Sequence, residues 1–309
     1  MWRSPSKHFL NVIEVKSFAF GFIKSTTFAA FHVSLQLTSA IQISRVNVAQ
    51  TKSLHLFQFN CLLYQIHTHF SSNQSMASNE RSFVLWLHGL GDSGRANEMY
   101  LKDRFTVPEL AGTKWAFPTA PSAPVTCNDG AIMNSWFDIC NAPITSKSVR
   151  GLDDVLESVQ KVHAIIDKEI SDGTDPGNIF IAGLSQGGAM AIGSVLLYPN
   201  TLGGGAVFSG FLPFNSPVED RIFPQAKKTP ILWCHGMLDT LVPFEAGEDG
   251  KEFLQKLGMN CEFKAYDGLG HSLDEMELEY LQEWLKHQLG RSSKKSHFSA
   301  CGLFNKFCS

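Results

Sequence analysis

The stretch Asn178-Ile179-Phe180-Ile181-Ala182-Gly183-Leu184-Ser185-Gln186-Gly187-Gly188 changes character twice. After Asn178 come four apolar residues, Ile179-Phe180-Ile181-Ala182, rich in Ile and Phe, the composition of a short strand buried on both faces. From Gly188 to Leu197 the chain is dense in small and unbranched residues, at a length that suits a helix. Between the two stands a Gly-x-Ser-x-Gly pentapeptide. Strand, tight turn and helix in that order form a nucleophile elbow with Ser185 at its tip. Glycines two places either side of Ser185 relieve crowding where the backbone folds back on itself. Without such flanks the same five residues read as a plain Gly-rich turn.

Outward from the elbow, Phe83-Val84-Leu85-Trp86-Leu87 predicts another strand buried on both faces. It runs into His88-Gly89-Leu90-Gly91-Asp92-Ser93-Gly94, a Gly-rich loop without the lysine of a P-loop or the spacing of a dinucleotide turn. After a buried strand, and with the serine elbow downstream, this loop reads as half of an oxyanion hole, the backbone N–H of Leu90 aimed at a developing negative oxygen. Trp115-Ala116-Phe117 begins a second strand, which Pro118, Pro121 and Pro124 convert into a long irregular loop reaching Ile139. Gly151 to Ile170 is an amphipathic helix, with Leu152, Val155, Leu156, Val159, Val162, Ile165 and Ile166 at helical spacing. His163 within it reads as structural.

Gly204–Gly210, Pro230–Gly236 and Cys261–Tyr266 predict further strands, and Phe244–Leu257 and Leu273–Leu289 further helices. Alternating strands and helices imply βαβ units. The expected fold class is α/β, a single domain over residues 78–290 built on a mainly parallel sheet flanked by helices. Residues 1–77 differ: six basic residues stand against one acid, Glu14, among many Ser, Thr, Phe and His. That is the composition of a transit peptide, or of an over-extended reading frame in which Met76 is the initiator. Asn73-Gln74-Ser75 is a formal glycosylation sequon with no other sign of secretion. The polar tail 291–309, with Cys301 and Cys308, is expected to be disordered.

With 309 residues, 44% of them hydrophobic and 18% charged, the chain can bury a sizeable core. A net charge of −3 gives no reason to expect a nucleic-acid partner. Seven cysteines without a C-x-x-C pair suit reduced thiols inside a cell, and a cytoplasmic location follows unless the N-terminal segment directs the chain to an organelle. No apolar run approaches the roughly 18 residues that cross a bilayer.

A serine hydroxyl is a poor nucleophile at neutral pH. It needs a base beside it, and the base needs a carboxylate to fix its tautomer. Asp239, in Met237-Leu238-Asp239-Thr240, and His271, in Gly270-His271-Ser272, both follow predicted strands downstream of the elbow. The order Ser185, Asp239, His271 is that of α/β-hydrolases, and all three belong to loops at the carboxyl edge of the sheet. His235 lies inside a strand end, and Asp267 is close to His271 in sequence; neither is preferred. Trp136 and Phe211 are candidates for an apolar acyl pocket. No metal or organic cofactor is required.

Taken together, His88 to Gly94, Ser135-Trp136-Phe137-Asp138, the elbow, Asp239-Thr240-Leu241-Val242-Pro243 and Gly270-His271-Ser272 resemble the acyl-protein thioesterases. These form the carboxylesterase and lysophospholipase-related branch of the α/β-hydrolases, and the chain is similar to its plant members over residues 80 to 289. The resemblance implies hydrolysis of thioesters on S-acylated proteins, such as palmitoyl groups, with peripheral contact with membranes, and an oxyanion hole from the N–H groups of Leu90 and Gln186. Other readings of the same residues are a small-molecule carboxylesterase or lysophospholipase, or a ligand-sensing receptor that keeps the fold.

Overall fold

Continuous apolar runs become buried strands in a computed structural model that describes residues 81–304, with side chains as far as Arg291. The strands are β1 (Phe83–Leu87), β2 (Lys114–Ala116), β3 (Ser122–Val125), β4 (Ala131–Asn134), β5 (Ile179–Leu184), β6 (Gly204–Phe208), β7 (Ile231–Gly236) and β8 (Cys261–Tyr266). Six of them form one sheet in the order β2-β1-β5-β6-β7-β8, and every neighbouring pair is parallel. The helices are α1 (Gly94–Leu101), α2 (Leu152–Ser171), α3 (Gln186–Leu196), α4 (Phe244–Lys256) and α5 (Glu275–Phe304). The expected α/β class, a parallel sheet flanked by helices, is the one observed.

Successive side chains along a strand point to opposite faces, and the core divides accordingly. Leu85, Leu87, Ile181 and Trp233 pack with the α2 stripe Val155, Val159, Val162 and Ile166 and with α3 and α4. Their neighbours Val84, Trp86, Phe180 and Cys234 face α1 and α5, where Leu278, Leu281 and Leu285 recur at helical spacing. Every residue of α3 is buried, which suits a helix that is small and apolar all round.

Chain order reverses between β1 and β5. The chain leaves β1 toward β2 on one side, and leaves β5 toward β6 on the other. Loops departing in opposite directions open a crevice at the carboxyl ends of the strands, where open α/β sheets hold their ligands. The His88 loop and Ser185 meet there, because Leu87 is in register with Gly183.

Three elements differ from expectation. The loop from Pro118 contains an antiparallel hairpin, β3 and β4, with Pro124 opposite Ile132. Proline is tolerated because each strand of a two-stranded sheet keeps an outer edge without a ladder. The cue for this turn is Asp129-Gly130, both with left-handed φ. Helix α1 shows almost no apolar periodicity; Ser93 caps it by accepting from the Ala96 N–H. Helix α5 begins at Glu275 and continues past Leu289, so the polar tail is helical as far as Phe304. Apolar periodicity reports burial, and a formed helix extends into polar sequence at little cost. The readings of residues 1–77, of the sequon and of Cys308 lie outside the described residues. Among those described, no helix is long and apolar enough to cross a membrane.

The elbow depends on two close approaches. A Cβ on Gly187 would lie 2.0 Å from the Leu87 carbonyl oxygen, and one on Gly183 would lie 2.4 Å from the Gly187 carbonyl. The obstacles are backbone atoms, which cannot rotate away. Gly187→Ala is therefore expected to destabilise the fold by about 3 kcal/mol or more, read as a large drop in melting temperature or loss of soluble protein.

Candidate active site

Ser185 follows β5 with φ 56 and ψ −121, a left-handed backbone that a non-glycine residue holds only under constraint. Its N–H donates to the Phe208 carbonyl on β6 at 2.8 Å, and its carbonyl accepts from Ala189 in the first turn of α3 at 3.0 Å. The hydroxyl stands clear of its own helix and meets His271, with Ser185 Oγ 2.9 Å from His271 Nε2.

The other ring nitrogen, Nδ1, lies 2.7 Å from Asp239 Oδ2. A carboxylate only accepts, so Nδ1 carries the proton and Nε2 presents a lone pair to the serine hydroxyl. Asp239 Oδ1 accepts from the N–H groups of Leu241 at 3.0 Å and Val242 at 2.9 Å. Burial alone would raise the Asp239 carboxyl; the hydrogen bond and charge of His271, with the Val242 N–H, outweigh it and hold the group below its ordinary range. The Asp239 and His271 loops are joined by N–H donation from Met237 to Tyr266 and from Leu238 to Leu269, each at 2.9 Å. The exposed Asp267 takes no part.

Opposite this chain lie two free donors. Among the described residues, the backbone N–H groups of Leu90 and Gln186 donate to no protein acceptor. Gln186 opens α3, so its N–H also carries the positive end of that helix. The Leu90 loop is held in place by its surroundings. Gly91 N–H donates to the Asn134 carbonyl at 2.8 Å, and Asn134 Nδ2 donates to the Asp92 carbonyl at 2.8 Å. His88 Nε2 accepts from the Ala120 N–H at 3.0 Å while Nδ1 donates to the Gly89 carbonyl at 2.7 Å. Burial lowers the His88 pKa, and acceptance by Nε2 needs a neutral ring. His88 is a strut of the loop.

Sequence reasoning takes Gln186 only for its amide. Its side chain, fully buried, accepts from the Trp136 N–H at 3.0 Å and donates to Ser135 Oγ at 3.0 Å and the Phe137 carbonyl at 2.7 Å. The Trp136 indole donates to the His88 carbonyl at 2.9 Å. One connected network thus braces the elbow and the Leu90 loop against the segment after β4. The Ser135-Trp136-Phe137 motif is its trace in the sequence. Trp136 and Phe211, expected in an acyl pocket, are both core residues: Trp136 is 5% exposed, and Phe211 is wholly buried with its ring edge-on to Phe137. His163 is structural, bonded to the Ser194 carbonyl at 2.8 Å and edge-on to Tyr198. Among the described residues no cluster of His, Cys, Asp or Glu is arranged to hold a metal ion.

The His271 loop ends in a reciprocal cap. Asp274 Oδ1 accepts from the Glu277 N–H at 3.0 Å, and Glu277 Oε2 accepts from the Asp274 N–H at 3.2 Å, a capping box at the start of α5. Glu277 is fully buried, and its Oε1 has no partner.

The chain is similar to known proteins over most of the described residues. The phospholipase/carboxylesterase family matches residues 69–289. A probable carboxylesterase of Oryza sativa subsp. japonica is 58% identical over 221 residues, covering 72% of this chain and 83% of the relative. The crystal structure of Arabidopsis thaliana SOBER1, a carboxylesterase, aligns with a TM-score of 0.66 at 56% identity, covering 68% of this chain and 99% of that one. Acyl-protein thioesterase 1 of Saccharomyces cerevisiae is 35% identical over 214 residues, covering 68% of this chain and 93% of the relative.

Burial pushes the Glu277 carboxyl up from an ordinary value of 4.5 to about 8. The folded protein favours its neutral form, so its contribution to stability is complete below the ordinary value and is lost as the pH rises toward the folded one. Glu277→Gln keeps the acceptor oxygen without the titration. Its melting temperature should fall less than the wild type's between about pH 5 and about pH 8, and at the upper end the variant should melt higher by about 2–4 °C.

Proposed function

The chain belongs to the phospholipase/carboxylesterase family of α/β-hydrolases, serine hydrolases of acyl esters, and from that premise we propose that Ser185, His271 and Asp239 form its catalytic triad. The supporting observation is the chain of hydrogen bonds, 2.9 Å from Ser185 to His271 and 2.7 Å from His271 to Asp239, facing two unpaired amides. His271 Nε2 takes the hydroxyl proton as Ser185 Oγ attacks the acyl carbonyl. Asp239 stabilises the imidazolium that results. The N–H groups of Leu90 and Gln186 bind the oxyanion, each worth about 2.7–4 kcal/mol of barrier. The proton passes from His271 to the leaving oxygen or sulfur, and the acyl group remains on Ser185. Water, deprotonated by His271, then releases the acid and restores the serine.

Within acyl transfer, the proposed substrate is an S-acylated protein, with the thiol of a cysteine as leaving group. Similarity to acyl-protein thioesterases supports it. So does an exposed apolar rim on the acid loop, where Met237, Leu238 and Leu241 flank Asp239 and are 50%, 61% and 41% exposed. Enzyme meeting a lipid-modified protein at a membrane surface, from the cytoplasm, suits such a rim. A small-molecule carboxylesterase is the second reading, favoured by relatives named as carboxylesterases at 55–58% identity and by the burial of Trp136 and Phe211.

Ser185→Ala is expected to lower kcat by at least about 10⁴-fold, and Asp239→Asn by about 10⁴-fold, in p-nitrophenyl ester hydrolysis. Undiminished turnover by the serine variant would remove the mechanism. A series of p-nitrophenyl esters and S-acyl peptides of increasing chain length separates the substrates. Rates sustained to long acyl thioesters support the S-acyl-protein reading; rates confined to short esters support the small-ester one.

A further inference from the structure

A second imidazole stands behind the acid. His235 is the fifth residue of β7 (Ile231–Gly236), and its side chain has no exposed surface. Its Nε2 lies 2.9 Å from the Val242 carbonyl and 3.6 Å from Asp239 Oδ2. Val242 is also the residue whose N–H, with that of Leu241, binds Asp239 Oδ1. The ring therefore ties the far end of the acid turn back to the strand from which the turn departs.

The protonation state follows from the contacts. A carbonyl only accepts, so Nε2 carries the proton and Nδ1 is a bare lone pair. Nδ1 is buried without a hydrogen-bond partner. Helix α4 covers it so closely that a Cβ on Gly247 would lie 2.5 Å away. Glycine inside a helix costs about 1 kcal/mol relative to alanine; here it lets the α4 backbone close over the ring. Phe244 adds an edge-on contact at 5.9 Å between ring centroids. Burial pushes the His235 pKa down, against the opposing pull of the Val242 carbonyl and Asp239, so the ring is neutral. A cation at this distance from Asp239 would compete with His271 for its charge. A neutral donor does not.

We infer that His235 is a positioning residue for the acid of the site: its Nε2–H holds the Asp239–Val242 turn in the form that gives two amides to Oδ1 and leaves Oδ2 to His271. The role rests on the proposed Ser185, His271 and Asp239 triad. It acts on the rate of the chemical step and leaves the substrate surface unchanged.

The test is a set of variants assayed for kcat and KM on a p-nitrophenyl ester, with melting temperatures alongside. The amide nitrogen of glutamine reaches about as far as Nε2, whereas asparagine is too short and phenylalanine has no donor. His235→Asn and His235→Phe should lower kcat by about 10- to 100-fold with KM unchanged within about twofold, and His235→Gln should recover most of the loss. Ser185→Ala is the control for the parent reading. If it is inactive while the Gln and Asn variants are equally impaired, or neither is impaired, the positioning role is overturned and the triad stands. If Ser185→Ala retains activity, both fall. Should the Phe variant fail to fold, the comparison of Gln with Asn still decides.

Discussion

One close backbone approach sets the position of the elbow. At Gly187 the first turn of α3 lies against the carbonyls of Leu87 and His88, with no room for a side chain. That contact brings the elbow of β5 beside the loop leaving β1. Because chain order reverses between these two strands, the loop and the helix start approach from opposite directions. Leu90 and Gln186, whose N–H groups have no protein acceptor, belong to that loop and that helix start. A side chain at Gly187 would push the elbow away from the backbone of Leu87 and His88.

Such closeness buries polar groups, and each of them has to find a partner. The Gln186 side chain spends its oxygen and its nitrogen on the segment Ser135–Phe137, and Trp136 returns a bond to the His88 carbonyl. The network is buried, where low dielectric strengthens a satisfied bond and penalises an unsatisfied one. It explains why Gln and Trp stand at positions where apolar packing alone would serve. Asp239 and His271 are held similarly: Asp239 has each oxygen occupied, and His271 lies on a loop closed by the Asp274–Glu277 cap.

Much of this is legible in the sequence because certain constraints have few solutions. Buried parallel strands must be apolar, so β1, β5, β6 and β7 stand out as runs. An elbow requires glycines at fixed places around its serine. Asp239 and His271 follow strands, which puts them at the carboxyl edge with Ser185. What is not legible depends on tertiary partners. The β3–β4 hairpin hides behind three prolines, and Asn134 gains its role only through the Gly91 and Asp92 backbone. Trp136 and Phe211 look like pocket residues because large apolar side chains on loops suit both a pocket and a core, and only burial separates the two. His235 looks misplaced in the chain for the same kind of reason: its value is set by Val242, seven residues on, through a turn that the sequence does not display.

A division of labour follows from which atoms are committed. The 237–242 loop has its backbone fixed by Tyr266, Leu269 and Asp239, while the side chains of Met237, Leu238 and Leu241 remain in solvent. A rigid backbone bearing uncommitted apolar side chains can vary its surface without moving its carboxylate. The same segment thus fixes the Asp239 carboxylate and still presents exposed apolar side chains on either side of it. Trp136 and Phe211 have no such freedom, since both are packed into the core. Variation in what the site accepts is therefore cheapest on the acid loop, and the reaction it performs is the part least free to change.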